Sequence, residues 1–258
     1  TVLLSRWVRS AKNPAKVRFF VDRVDLNGPT PRVLPSVNTP GSLILADETS
    51  RRFVTADYHV ERVPLGGAPD RARARLMGVY HDCAVTLRPG AWYEGESEQC
   101  IAVTRDFKLA DVAGTKVTLR QTMTPPAQNI AGVQIADDRI YVTRYAQYDY
   151  SGYADQVSRQ GPKVIEDGGL WAIGGIRAGQ LAIVSEMTGD VEWPLAAHGT
   201  KVALYTQGGI AIYDTATPAP ALVAEAKLRG YGHSSHVIMS DTRAVTSLGE
   251  WGLQTIAY

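Results

Sequence analysis

Apolar residues recur at every second position over stretches of about six to nine residues, broken by Gly, Pro, Asn and Asp, and helical periodicity is nearly absent. Lys116–Met123 shows the pattern most clearly. Val117, Leu119, Gln121 and Met123 fall on one face of a strand, with Lys116, Thr118, Arg120 and Thr122 on the other. Arg71–Met77 sets Arg71, Arg73 and Arg75 against Ala72, Ala74 and Leu76, and Ala221–Arg229 alternates Leu222, Ala224, Ala226 and Leu228 with Val223, Glu225, Lys227 and Arg229. Such strands belong at the solvent side of a sheet, half buried. Their charges also discourage edge-to-edge aggregation. Ser42–Ala46, Gln99–Thr104, Arg139–Thr143, Leu181–Val184, Lys201–Tyr205 and His236–Met239 are more apolar and rich in small residues, which predicts inner strands covered on both faces.

Strands of both kinds alternate along the chain, and one element repeats: a polar turn, a Lys or Arg, then an apolar strand. It begins at Arg52, Arg139, Lys201 and Arg243, with a weaker copy at Gln99, at intervals of about 47, 40, 62 and 42 residues. The underlying period is about 40–45 residues, that of a four-stranded propeller blade. The long interval carries an insertion, Gln147–Pro162. A second repeat is sharper. Asp25 is followed by Pro29, Pro31 and Gly41, and Asp214 by Pro218, Pro220 and Gly230, at identical spacings of four, two and ten. A carboxylate ending a strand accepts backbone N–H groups in the following turn, the prolines stiffen the link, and the glycine permits a reversal.

This linker, Asp-x-x-x-Pro-x-Pro, resembles that of the secreted bacterial β-propellers distantly related to WD40 proteins, including those with Asp-x-Ser-x-Pro-x-x-Pro repeats. The proline interval here is one residue shorter. The resemblance implies an all-β propeller of repeated four-stranded antiparallel blades, used mainly for binding, in an extracellular or periplasmic (cell-envelope) setting. It implies no catalytic residues.

The expected organisation is a single propeller domain over 1–258, with blades at about 42–80, 83–124, 128–190 and 193–230 and part-blades at 1–38 and 233–258. Three strands at each end are too many for one shared blade. Two readings follow: an extra strand lies outside the ring, or the chain is an incomplete C-terminal portion of a larger ring whose edges another polypeptide or an upstream segment completes.

The 258 residues are 45% hydrophobic and 21% charged, a globular mixture that argues against disorder. The net charge of +1 supplies no global attraction to nucleic acid or anionic lipid. No apolar run approaches the roughly 18 residues of a membrane-spanning helix, so no transmembrane segment is expected.

Candidate chemistry is sparse. Cys83 and Cys100 flank the hairpin segment Pro89–Glu98; they suit a disulfide in an oxidising compartment, or equally two buried thiols. A bond closing that loop contributes about 3 kcal/mol in the chain-entropy model. His233 and His236 are three apart, so they point to opposite faces of a strand and chelate a metal only within a turn. Glu94, Glu96 and Glu98 share a strand face and invite Ca²⁺, although a solvated loop is simpler. No other cofactor is expected. His81 and Asp82 lack a nucleophile in a recognisable context, and Gly168–Gly175 lacks the lysine of a phosphate-binding loop, reading instead as strand ends and a tight bend. The basic residues Arg6, Arg9, Lys12, Lys16, Arg18 and Arg23 form either an acidic-partner surface or a solvated outer face. Tyr145, Tyr148, Tyr150 and Tyr153 cluster beside Asp149 and Asp155 in the long insertion, offering large contact area with polar ends, and are the candidate partner-binding residues. The leading expectation is a noncatalytic binding scaffold for protein–protein assembly. The alternative is a propeller hydrolase acting on glycans or peptides at the central channel.

Overall fold

The computed structural model describes residues 1–9, 17–64, 73–75, 98–125, 130–149, 163–189, 191–206, 209–229 and 236–258. Among them the chain is all-β, and the only helical element is a short 3-10 turn, Gly249–Trp251. No helix is long and apolar enough to cross a membrane. The strands form antiparallel up-and-down sheets of propeller-blade type, several of them four-stranded. They fall into two compact units, Thr1–Gln128 with Ile176–Gln180, and Asn129–Gly175 with Leu181–Tyr258.

In the first unit, β1 (Val2–Arg9), β2 (Val17–Asp25) and β3 (Arg32–Thr39) form a three-stranded sheet. The next sheet runs through β4 (Ser42–Asp47), β5 (Arg52–Pro64), β7 (Glu98–Ala113) and β8 (Lys116–Met123), with the short β6 (Arg73–Arg75) beside β5. The boundary expected between residues 80 and 83 lies outside the described residues. The strands that flank it, β5 and β7, pair directly in one sheet, from Arg52↔Asp111 to Pro64↔Glu98. Phe19, Val21 and Val37 of the first sheet and Phe53, Val54, Phe107 and Leu109 of the second are buried. Gly41 allows the chain to turn between the sheets, because a Cβ there would sit 2.5 Å from the Ala56 carbonyl oxygen.

Ile176–Gln180 is fastened to this second sheet by charge. Arg52 Nε donates to Asp111 Oδ1 at 3.1 Å and its Nη1 to the Ile176 carbonyl at 3.0 Å, while Arg120 Nε donates to the other Asp111 oxygen. Gly179 adopts φ +86°, a left-handed backbone conformation that favours glycine.

The second unit opens with β9 (Ile130–Ala136) and β10 (Arg139–Arg144), continues through the hairpin β11 (Gln147–Asp149) and β12 (Lys163–Glu166), and returns with β13 (Gly169–Gly174) and β14 (Ala182–Thr188). The sheet order is β9-β10-β13-β14, so Leu181–Val184 contributes to an outer strand and not to the inner one its apolar composition predicts. Next come β15 (Pro194–His198), β16 (Lys201–Thr206), β17 (Gly209–Asp214) and β18 (Ala221–Lys227), in that order, and the three-stranded sheet β19 (Val237–Met239), β20 (Arg243–Ser247) and β21 (Leu253–Ala257).

Alternate residues of each central strand face opposite neighbours. Val202 and Leu204 of β16 join Tyr141, Leu170 and Ala172 of the preceding sheet in one core. Ala203, with Ile210 and Ile212 of β17, joins Ala244 and Ile256 of the following sheet in another. The period of two thus builds two interfaces from one strand. The outer strand β18 departs from it once: a register shift between Ile212 and Tyr213 leaves Leu222 opposite Tyr213 and exposed, although Ala224 and Ala226 stay on the core face.

Both sequence repeats acquire positions. Arg52, Arg139, Lys201 and Arg243 each begin the second strand of a sheet, β5, β10, β16 and β20. Two of them meet an acid ending or near the end of the third strand: Arg52 pairs with Asp111, and Lys201 Nζ lies 3.9 Å from Asp214 Oδ2. Asp25 accepts the Asn27 N–H at 3.0 Å and Asp214 the Ala216 N–H at 2.9 Å, the turn that the matched spacing predicts. Pro218 in the second linker accepts the Glu186 N–H of outer strand β14 at 2.9 Å.

Two predictions test these packings. Leu204→Ala is expected to destabilise by about 2–5 kcal/mol, as for a fully buried leucine, whereas Leu222→Ala changes stability by about 0.5 kcal/mol or less; denaturant midpoints compare them. The Arg120 guanidinium above all, opposed by partial burial and helped by Arg52, holds the Asp111 carboxyl below its ordinary value of 3.8. A depressed carboxyl stabilises the fold above that value and loses its contribution as pH falls through the folded one. Asp111→Asn is therefore less stable than the parent at pH 7, and the difference shrinks as pH falls below 3.8 and through the lowered folded value. A difference that persists in acid contradicts the ion-pair account.

Candidate protein-contact site

Two exposed aromatic side chains of the second unit, Tyr145 and Trp193, converge where β15 begins. Glu192 N–H donates to the Tyr205 carbonyl at 3.2 Å and Tyr205 N–H to the Trp193 carbonyl at 2.9 Å, extending the β15–β16 ladder past a register shift at Pro194. This pairing lays the Trp193 indole flat on the Tyr205 ring, centroids 5.7 Å apart and planes 9° from parallel. Tyr145, directly after β10, meets Trp193 edge-on at 6.4 Å and 85°. Tyr205 is buried, while Trp193 and Tyr145 remain 41% and 43% exposed. The arrangement is an anchored stack with an outward face. Offset and edge-on geometries both suit the ring quadrupole, at about 0.5–1.5 kcal/mol per pair beyond area burial.

A glycine seats the stack. A Cβ on Gly132 in β9 would meet Pro194 Cδ at 2.6 Å and Trp193 Cβ at 3.6 Å. Only a bare backbone lets this segment lie so close.

Behind Tyr145 the strand is polar and buried. The Arg144 guanidinium stacks over the Trp171 ring at 4.5 Å, and Glu186 Oε1 accepts from Trp171 Nε1 at 2.8 Å and from Arg144 Nη2 at 3.3 Å. Arg144, Trp171 and Glu186 thereby fix the end of β10 from which Tyr145 projects. Tyr141 on the same strand donates its hydroxyl to the Gly199 carbonyl at 2.8 Å, and burial raises its pKa above 10.0.

Of the tyrosines expected to meet a partner, only Tyr145 has a described side chain. Tyr148 lies in β11, where the backbone alone is described, and Tyr150 and Tyr153 lie outside the described residues. Cys83 likewise lies outside them, and Cys100 is placed only as a backbone position of β7. His81, Asp82, Glu94, Glu96 and His233 also fall outside, and Glu98 is a backbone position at the start of β7. The His236 carbonyl accepts Ser247 N–H at 3.2 Å, closing the ladder at β19. Asp241 pairs with His198 Nε2 at 2.9 Å. Among the described residues no group of three His, Cys, Asp or Glu side chains is placed to hold a metal ion. Of the basic N-terminal residues, Arg6 pairs with Asp22 at 2.7 Å and Arg23 Nη2 donates to the Pro35 carbonyl at 3.1 Å. Gly168–Gly175, which reads in sequence as strand ends and a tight bend, holds the whole of inner strand β13, Gly169–Gly174, and the bend follows at residues 176–179.

Trp193 carries no motif in its neighbourhood. Its partners come from a strand end one blade earlier and from the strand after it, so only the fold assembles the stack.

No protein-family model matches the chain, and no curated protein matches it either. Among solved structures it is similar to the WD40 domain of Neurospora crassa Pan2, at 8% identity over 98% of this chain and 74% of that one, with a TM-score of 0.35.

Gly132→Ala is expected to cost about 1–3 kcal/mol by overpacking against Pro194. It should also weaken the near-ultraviolet circular dichroism contributed by the Trp193–Tyr205 stack. An unchanged midpoint and spectrum would contradict the seating role of this glycine.

Proposed function

We propose that the chain is a noncatalytic binding scaffold for protein–protein assembly, acting in an extracellular or cell-envelope setting, with Tyr145 and Trp193 as its anchor for a partner protein. The observation that carries this reading is the half-exposed Trp193, held flat by buried Tyr205 and seated on Gly132. Large aromatic side chains already fixed in their bound geometry lose little entropy on association and dominate interface energies. The setting rests on the even pair Cys83 and Cys100 and on the linker resemblance.

The test is site-specific photocrosslinking in the cells that make the chain. Benzoylphenylalanine replaces Tyr145 in one variant and exposed Leu119 in another. A discrete protein adduct is expected from position 145 alone, and it should disappear when Trp193→Ala is added. No adduct at 145, or identical adducts from both positions, would remove the basis for an anchor here.

A further inference from the structure

The stack at the start of β15 has a definite shape. Tyr205 covers one face of the Trp193 indole, with centroids 5.7 Å apart and planes 9° from parallel, which holds that ring flat. The Tyr145 ring stands at 85° to it, 6.4 Å away. The two exposed rings are thus the walls of a right-angled apolar corner, fixed before any partner arrives. Gly132 and buried Pro194 set the position of one wall. Arg144, held by Trp171 and Glu186, directly precedes the other.

The hydrogen-bonding groups beside this corner are unequal. The Trp193 carbonyl accepts the Tyr205 N–H at 2.9 Å, and the Tyr205 carbonyl accepts the Glu192 N–H at 3.2 Å. The next residue, Pro194, has no N–H. The backbone here therefore gives an added β-strand little to pair with. The indole differs. Among the described residues nothing accepts from the Trp193 Nε1–H. What the corner presents is ring surface and a hydrogen-bond donor.

We infer that this corner takes a proline-rich segment of the partner, in the extended polyproline II form. The inference rests on the reading of Tyr145 and Trp193 as a protein anchor, and it adds the chemistry of what they hold. A proline brings an apolar ring for the corner and a carbonyl for the indole N–H. It brings no N–H of its own to be buried without an acceptor. A polyproline II segment has no internal hydrogen bonds, so its carbonyls stay open to a donor. An α-helix lacks this match, because its carbonyls are occupied along its length. The segment is also extended before it binds, so fixed rings and a fixed ligand lose little entropy on meeting.

The probe is capped decaproline, titrated into the isotope-labelled full chain while indole and backbone N–H resonances are followed by NMR. The Trp193 indole resonance, identified by its loss in Trp193→Phe, should move saturably with decaproline and stay in place with a Gly-Ser decapeptide or with cellohexaose. Trp193→Phe keeps an aromatic ring but removes the donor, and should raise the decaproline Kd about three- to tenfold, read from the position-145 backbone amide. Tyr145→Ala removes one wall and should raise it about tenfold or more. In both variants the Trp171 indole N–H, buried and donating to Glu186, should remain slow to exchange, which verifies their fold. A still Trp193 resonance, an equal response to the Gly-Ser peptide or to cellohexaose, or unchanged affinity in both variants overturns the inference. The scaffold reading fails by another readout, the absence of a protein adduct from position 145. An adduct there without a response to decaproline leaves the scaffold and removes its proline-rich partner.

Discussion

Stacking of one sheet on the next, through alternate residues of the same strand, is the constraint on which the second unit depends. β16 contributes Val202 and Leu204 to one core and Ala203 to the other. No residue of that strand can be moved by one position without exchanging its two faces, so register and packing are a single property. This explains why the central strands are mainly apolar and why small residues recur in them. Ala172, Ala203, Ala211 and Ala244 are buried where sheets approach closely. The outer strands β8 and β18, with solvent on one face, alternate in burial except at one register shift each.

Charge and turn chemistry hold the ends of these sheets. The basic residue that opens a second strand meets the acid near the end of the third in Arg52–Asp111 and Lys201–Asp214. Asp214 also accepts the Ala216 N–H, so one carboxylate both closes a sheet end and starts the linker to its outer strand. Thr215 completes that corner, its hydroxyl donating to the Thr200 carbonyl at 2.7 Å and accepting from Arg139 Nη1 at 2.8 Å. Pairs this exposed add little each. Their effect is to fix where a strand stops, which the stacked cores require.

Much of this was legible in the chain. The Lys- or Arg-led strand repeat marks the second strand of four sheets, and the Asp–Pro–Pro linkers mark two Asx turns, because both are local devices written in consecutive residues. The direct pairing of β5 with β7 was hidden, since it joins strands far apart in the chain. The exposure of Leu222 was hidden because a register shift leaves no mark in an alternating sequence. The stack of Tyr145, Trp193 and Tyr205 was half visible: Tyr145 stood out within a tyrosine cluster, but Trp193 reaches it only through the fold. The pairing of His198 with Asp241 is of the same kind, uniting two hairpin turns from successive sheets.

A scaffold that presents an anchored aromatic pair makes one plain demand, that the chain be found joined to another protein. The most direct measurement is native mass spectrometry of the particle purified gently from the cells that make it. The account predicts a particle holding a second, different polypeptide in whole-number ratio, which is lost when Tyr145 and Trp193 are both replaced by Ala. A particle containing this chain alone, or the same assembly recovered intact from the double variant, would contradict it.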